Sequence, residues 1–225
     1  MSKISYFAAL ALSLLLITAQ TAGAQNPSDY YEEVPRTFFG GLVAGANFTQ
    51  VDGDRFAGYH KIGLNAGAIM YANLAPHLAG SIEILFSQKG SRAHKAQESA
   101  GKAFVITKYN INLNYAEVPI MLNYFDRRKS NIGAGFSVAR LINSTETGEQ
   151  TSGIKPEFDK YPFRKMDYNF IVGGNLHCWK GIYFNARFQY SLRSIRDKQY
   201  QVPEYSGRSE QFSNMWTVRV MYLFN

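Results

Sequence analysis

Eight stretches of this chain alternate apolar and polar residues with a period of two, at about 37–50, 59–72, 78–89, 108–124, 131–143, 167–177, 181–193 and 211–225. Side chains on a strand point to opposite faces in turn, so this period predicts strands. In 59–72, Ile62, Leu64, Ala66, Ala68 and Met70 share one face, with Lys61, Gly63, Asn65 and Gly67 opposite. In 181–193, Ile182, Phe184, Ala186, Phe188 and Tyr190 oppose Asn185, Arg187, Gln189 and Ser191. Globular strands average ~5–6 residues, whereas a tilted strand needs ~9–11 to cross a bilayer. The connections alternate too: 73–77, 125–130 and 178–180 are short, while 51–58, 90–107, 144–166 and 194–210 are mostly long and polar. Short turns at one end and long loops at the other characterise outer-membrane barrels. The expected fold is therefore all-β, an eight-stranded antiparallel up-and-down transmembrane β-barrel. An even strand count puts both termini at the short-turn end, which we expect in the periplasm.

The apolar face of the second, third, seventh and eighth segments carries only His60 and Asn214 as polar exceptions, both near strand ends. A charge at mid-bilayer costs about 2–4 kcal/mol, so this sorting fits a lipid-facing wall. Aromatic residues gather near both ends of that face: Phe38, Tyr124, Phe184, Tyr222 and Phe224 toward the turns, and Phe86, Tyr109, Tyr168, Tyr190, Phe212 and Trp216 toward the loops. Two aromatic girdles are expected at the two membrane interfaces. A soluble calycin-like barrel would invert the sorting. The opposite face, with its glycine, asparagine, glutamate and arginine, is too polar for a ligand-holding core.

One segment breaks the alternation. In NYAEVPIMLNY, residues 114–124, the apolar set is even (Ala116, Val118, Ile120, Leu122, Tyr124), whereas just upstream it is odd (Tyr109, Ile111, Leu113, Tyr115). Pro119, which has no N–H to donate, follows. A β-bulge adds one residue and reverses parity, so we expect a bulge around Tyr115, Ala116 and Pro119. It would keep both apolar sets toward lipid and turn Glu117 into the lumen.

The chain opens with Lys3, an apolar run from Tyr6 to Ile17 and a small-residue site at Ala22-Gly23-Ala24. We expect residues 1–24 to be a secretory signal peptide, 25–36 an acidic periplasmic tether containing Asp29–Glu33, and 37–225 the barrel domain. Cys178 is the only cysteine, so no internal disulfide can form. A formal charge of +7 suits contact with anionic lipid or lipopolysaccharide. No clustered basic helix points to nucleic acid.

His60, His77, His94 and His177 form no constellation with serines and acids on the loop-side rim, so we expect no catalytic site and no enzyme. No phosphate-binding loop or metal-ligand spacing appears, so no cofactor and no metal are expected. The informative charges are Glu83, Glu117, Arg187 and Arg219. Counted from the short turns, all four stand at about one depth. We expect them to form one ion-pair layer across the lumen, with Glu117 paired to Arg187 or Arg219. A selectivity filter or gate is the functional alternative.

The first segment FFGGLVAGANFT, together with EILFSQKGS, INLNYAEVPIMLNY and GAGFSVARLIN, resembles the PorT family of outer-membrane β-barrels common in Bacteroidetes. That resemblance implies an eight-stranded outer-membrane barrel, with one founding member implicated in type IX protein secretion. The expected function is a non-enzymatic anchor or docking barrel, and on the resemblance a secretion accessory. A small channel, or a surface adhesion or ligand-binding barrel using the long loops, are the alternatives. Expected partners are outer-membrane lipid, lipopolysaccharide and other envelope proteins.

Overall fold

The computed structural model describes residues 37–53, 58–93, 97–98, 105–150, 162–196 and 210–224. The expected signal peptide (1–24) and tether (25–36) lie outside the described residues. Eight long strands appear: β1 (Phe38–Asp52), β2 (Lys61–Ala75), β3 (Leu78–Ala93), β5 (Val105–Phe125), β6 (Asn131–Gln150), β7 (Met166–Trp179), β8 (Ile182–Ser191) and β9 (Phe212–Leu223). A two-residue strand, β4 (Gln97–Glu98), adds to the edge of β5. No helix occurs among the described residues.

Each long strand pairs antiparallel with its sequence neighbour, β3 pairs with β5, and β1 pairs with β9 from Gly41↔Leu223 to Asp52↔Phe212. The sheet is thereby a closed eight-stranded antiparallel barrel. Closure matters because hydrocarbon offers no water to a free strand edge. The short turns fit their residues. Between β5 and β6, Asp126 Oδ1 accepts the N–H groups of Arg128 and Ser130, both at 2.8 Å. Lys129 there and Lys180 between β7 and β8 take positive φ, 62° and 47°.

The apolar wall faces outward. Ile62, Ile84 and Ile132 are 67–70% exposed, and Leu42, Ile120, Val172, Trp216 and Val220 lie on the same surface. A soluble domain would not display so continuous an apolar belt; a bilayer solvates it. Asn214, one of the two polar exceptions, is buried by its neighbours, accepting from Tyr59 Oη at 2.8 Å and donating to Asp52 at 3.2 Å.

The expected bulge at Tyr115, Ala116 and Pro119 is absent. β3 and β5 hold one register from Leu78↔Tyr124 through Phe86↔Ala116 to Ala93↔Tyr109. The register shift nearby belongs to β6, where Asn143 and Leu141 face consecutive β5 residues, Asn114 and Tyr115, and Ile142 is the extra residue. Odd residues of β5 therefore point inward along the whole stretch. Tyr109, Ile111, Leu113 and Tyr115 are at most 2% exposed, inside the barrel. What changes at Tyr115 is the content of the lumen, apolar toward the loops and polar below. Tyr109 accordingly leaves the expected outer girdle. Pro119 faces inward as well; it pairs with Ser137 on β6, and no pair forms at its position on the β3 side.

Candidate functional site

The lumen is filled in three zones. At the short-turn end, Phe39 stacks on Tyr71 with centroids 4.9 Å apart, and Phe125 meets Tyr71 edge-on at 5.7 Å. Val43, Ile69, Tyr183, Met221 and Leu223 complete this apolar seal. At the loop end, Ile111, Leu113 and Tyr115 pack with Val51, Ala139 and Ile195. Ile195 is carried over the opening by the segment after β8: its N–H donates to Gln211 O at 2.9 Å, and its carbonyl accepts from Arg164 N at 2.8 Å. Arg196 clamps the cap, bonded to Glu146 at 2.6 Å and stacked on Phe163 at 3.9 Å.

The charges lie between the two seals. Glu83 takes Arg187 Nη1 at 3.1 Å and Arg219 Nη1 at 2.7 Å on Oε2, and Arg219 Nη2 at 3.2 Å on Oε1. Arg219 Nε also donates to Asn185 Oδ1 at 2.8 Å. A chain of amides continues from Asn185 to Asn175 and on to Asn131, each step 2.7 Å. Each arginine sits beside a glycine in the ladder: Gly45↔Arg219 and Gly173↔Arg187. A Cβ on Gly45 would lie 2.5 Å from Arg219 Cα, and one on Gly173 2.4 Å from Arg187 Cβ. These glycines make room for two large cations in a narrow bore.

Glu117 does point into the lumen, fully buried, but its ion-pair partner is neither arginine. Lys89 Nζ stands 3.4 Å from Glu117 Oε2 and 3.1 Å from Asp167 Oδ2. Ser137 Oγ donates to Glu117 Oε1 at 2.6 Å, and Gln189 Nε2 donates to the same oxygen. Asp167 accepts from Ser191 Oγ at 2.9 Å. The single layer of Glu83, Glu117, Arg187 and Arg219 thus divides into two clusters. Counting residues from the turns misplaced Glu117 because barrel strands are tilted: on the β3 ladder it faces Leu85, two residues beyond Glu83. Lys89 and Asp167 were missed for the same reason. Their signal was present, since both alternate onto the polar face of their strands.

In total three acids (Glu83, Glu117, Asp167) and three bases (Lys89, Arg187, Arg219) occupy the middle of the bore, each at most 2% exposed. The charges balance and each pairs with an opposite one, as buried charges must. Such an arrangement can neutralise and hold the wall. Among the described residues no three His, Cys, Asp or Glu side chains converge to hold a metal.

Above the membrane-facing belt the wall is uneven. β5 and β6 run 21 and 20 residues, against 10–16 for the other long strands. On the outer face of their extension Asn110, Asn112 and Asn114 lie opposite Thr147, Thr145 and Asn143. Lys61 Nζ donates to Asn112, and Gln88 Nε2 to Asn114 at 3.1 Å. β7 pairs with β6 only as far as Arg140, so the outer part of β6 has no strand on that side among the described residues.

No curated protein matches the chain. Among solved structures, Ail of Yersinia pestis, determined with the heparin analogue sucrose octasulfate, superposes with a TM-score of 0.41 at 11% identity, covering 84% of this chain and 100% of Ail. Neisserial surface protein A gives 0.46 at 9% identity, with 85% and 100% covered. AlkL, determined in lipid bilayers, gives 0.38 at 16% identity, with 90% and 97% covered. The family described as outer membrane protein beta-barrel domain matches residues 19–197, most of the chain including all but the last long strand. The closed antiparallel barrel agrees with that match, and the chain belongs to the outer membrane protein beta-barrel domain family.

Proposed function

We propose that this outer-membrane barrel is a non-catalytic anchor that docks other envelope components on the sheet it raises beyond the bilayer, with its short turns and termini toward the periplasm. The observation that carries the reading is the β5–β6 hairpin, which continues past the last β7 partner and leaves one edge of β6 unpaired by a described strand. A strand pair raised above the bilayer with polar residues on its outer face offers hydrogen-bonding groups to a partner. The polar Asn and Thr rows on its outer face keep the extension above hydrocarbon. Apolar seals at both ends of the bore weigh against the channel reading, because an eight-stranded lumen is already about filled by side chains.

A photo-crosslinking residue at Thr145 or Thr147 in intact cells tests the docking role, with one at Ile84 on the lipid face as control. A reproducible protein adduct at the hairpin and none at Ile84 is the expected result; equal labelling at all three would refute it. The resemblance to the PorT family supports a narrower version, in which the docked components belong to type IX secretion. Deleting the gene should then deplete secreted cargo, and an unchanged set of secreted proteins would discard that version while leaving docking intact.

A further inference from the structure

We propose that the barrel binds one anionic diacyl phospholipid in a groove on its membrane-facing wall, with an acyl chain in the groove and the phosphate against the β5–β6 turn. The groove has a volume of about 440 Å³, within the ~300–1,000 Å³ typical of small-molecule sites. Its floor is Gly174 and Ala186, cross-strand partners on β7 and β8. Tyr124, Ile132, Leu176 and Phe184 rise around them. The registers make the dent. Gly174 lies between Ile132 and Ala186, while the next outward pair toward the turns, Leu176 and Phe184, is large. This wall belongs to the belt that hydrocarbon solvates, so the occupant that fits the dent is a lipid chain.

The end of the groove decides which lipid. Asp126, Ser130 and Asn131 border it there. The same turn carries Arg127 and Arg128, both exposed, and the neighbouring turn carries exposed Lys180. The one acid of the β5–β6 turn, Asp126, already accepts two turn N–H groups. A turn that borders an apolar groove and carries two exposed arginines complements a phosphate, which arginine binds through its planar fork. Which leaflet supplies the lipid rests on the periplasmic orientation proposed above; the binding itself does not.

Native mass spectrometry of the purified protein in detergent tests this. Phosphatidylglycerol and phosphatidylcholine with identical chains are added in turn, with glycerol phosphate as a soluble phosphate control. Phosphatidylglycerol should be retained more tightly than phosphatidylcholine. A186F, which fills the groove, should abolish its retention, whereas A68F on the exposed outer face of β2 should not. R127Q/R128Q should weaken phosphatidylglycerol about fivefold per arginine, the weight of one basic residue at an anionic lipid surface, and leave phosphatidylcholine unchanged. These arginines sit in an exposed turn, so that variant keeps the test open if A186F fails to fold. Equal retention of both lipids, or no effect of either variant, overturns the proposal. Glycerol phosphate bound as well as the lipid and unaffected by A186F would assign the arginines to free phosphate and overturn it. So would a dimer that A186F dissolves without any lipid dependence, which would give the groove to a second copy.

Discussion

Replacing Lys89 with methionine should be the most damaging single change inside the bore. The ammonium is wholly buried and bridges Glu117 at 3.4 Å and Asp167 at 3.1 Å. Methionine keeps much of the stem and removes the charge. Two buried carboxylates then face each other with only Ser137, Gln189 and Ser191 as donors. Removing one partner of a buried pair costs about 3–5 kcal/mol, and here two acids lose the same partner, so the upper end of that range applies. The triple variant Lys89→Met/Glu117→Gln/Asp167→Asn removes the stranded charges and should recover most of the loss, since neutral replacement of a buried ion cluster is often harmless. The assay is reversible urea unfolding of the refolded barrel in lipid vesicles, arranged as double-mutant cycles. Lys89 and Glu117 should couple by about 0.5–3 kcal/mol, and Arg219 and Glu117 by much less. A loss below about 1 kcal/mol for Lys89→Met, or additive losses for Lys89 with Glu117, would refute the assignment. Stronger coupling of Glu117 to Arg219 would restore the single layer expected from the sequence.

Gly173→Val places side-chain atoms where Arg187 Cβ already stands, with a Cβ contact of 2.4 Å; overpacking of this kind should cost about 1–3 kcal/mol in the same unfolding assay, and an unchanged midpoint would contradict the packing. Ile84→Arg, on the outward face at 70% exposure, should lose about 2–4 kcal/mol near mid-bilayer, whereas a soluble β-barrel would tolerate it. Cys178 is exposed beside the β7–β8 turn, so a membrane-impermeant maleimide should label it only after the outer membrane is permeabilised, and labelling in intact cells would reverse the proposed orientation. Single-channel recordings of the reconstituted barrel should show no steady conductance, and stepwise openings would mean that the seals around Tyr71 and Ile195 are not closed.

The outer wall was legible in the sequence and the inner wall was not. Lipid accepts almost only apolar side chains, so every second residue of β2, β8 and β9 announces its orientation. A filled lumen accepts both kinds. Ile111 and Leu113 look like lipid-facing residues because they are apolar, yet they pack on Val51 and Ile195, which lie far away in sequence. Reading the apolar parity of β5 as the orientation of its wall produced a bulge that the strand does not contain between Tyr115 and Pro119. The irregularity nearest Tyr115, at Ile142 on β6, sits in a run where Leu141 and Ile142 are both apolar, and alternation cannot show which of them is the extra residue. The partners of the lumen charges were hidden by tilt, which brings Lys89 to Glu117 and Asp167 across three strands, a relation no count from the strand ends contains.

The seals and the charges act together. An ion pair gains strength as water is excluded and the local dielectric falls, and the apolar plugs around Tyr71 and Leu113 keep water from either end of the bore. The same exclusion makes any unpaired charge costly. Three acids and three bases from six places on the wall can neutralise one another only when β3, β5, β7, β8 and β9 stand in their native register. A strand slipped by one residue would turn its lumen charge toward hydrocarbon, and a slip of two would strand it under a plug. Glu83 illustrates the selection: it holds both Arg187 and Arg219 within 3.1 Å, so β3 is tied to β8 and β9, with which it shares no ladder. The polar interior therefore specifies how the barrel closes, while the apolar exterior specifies where it resides.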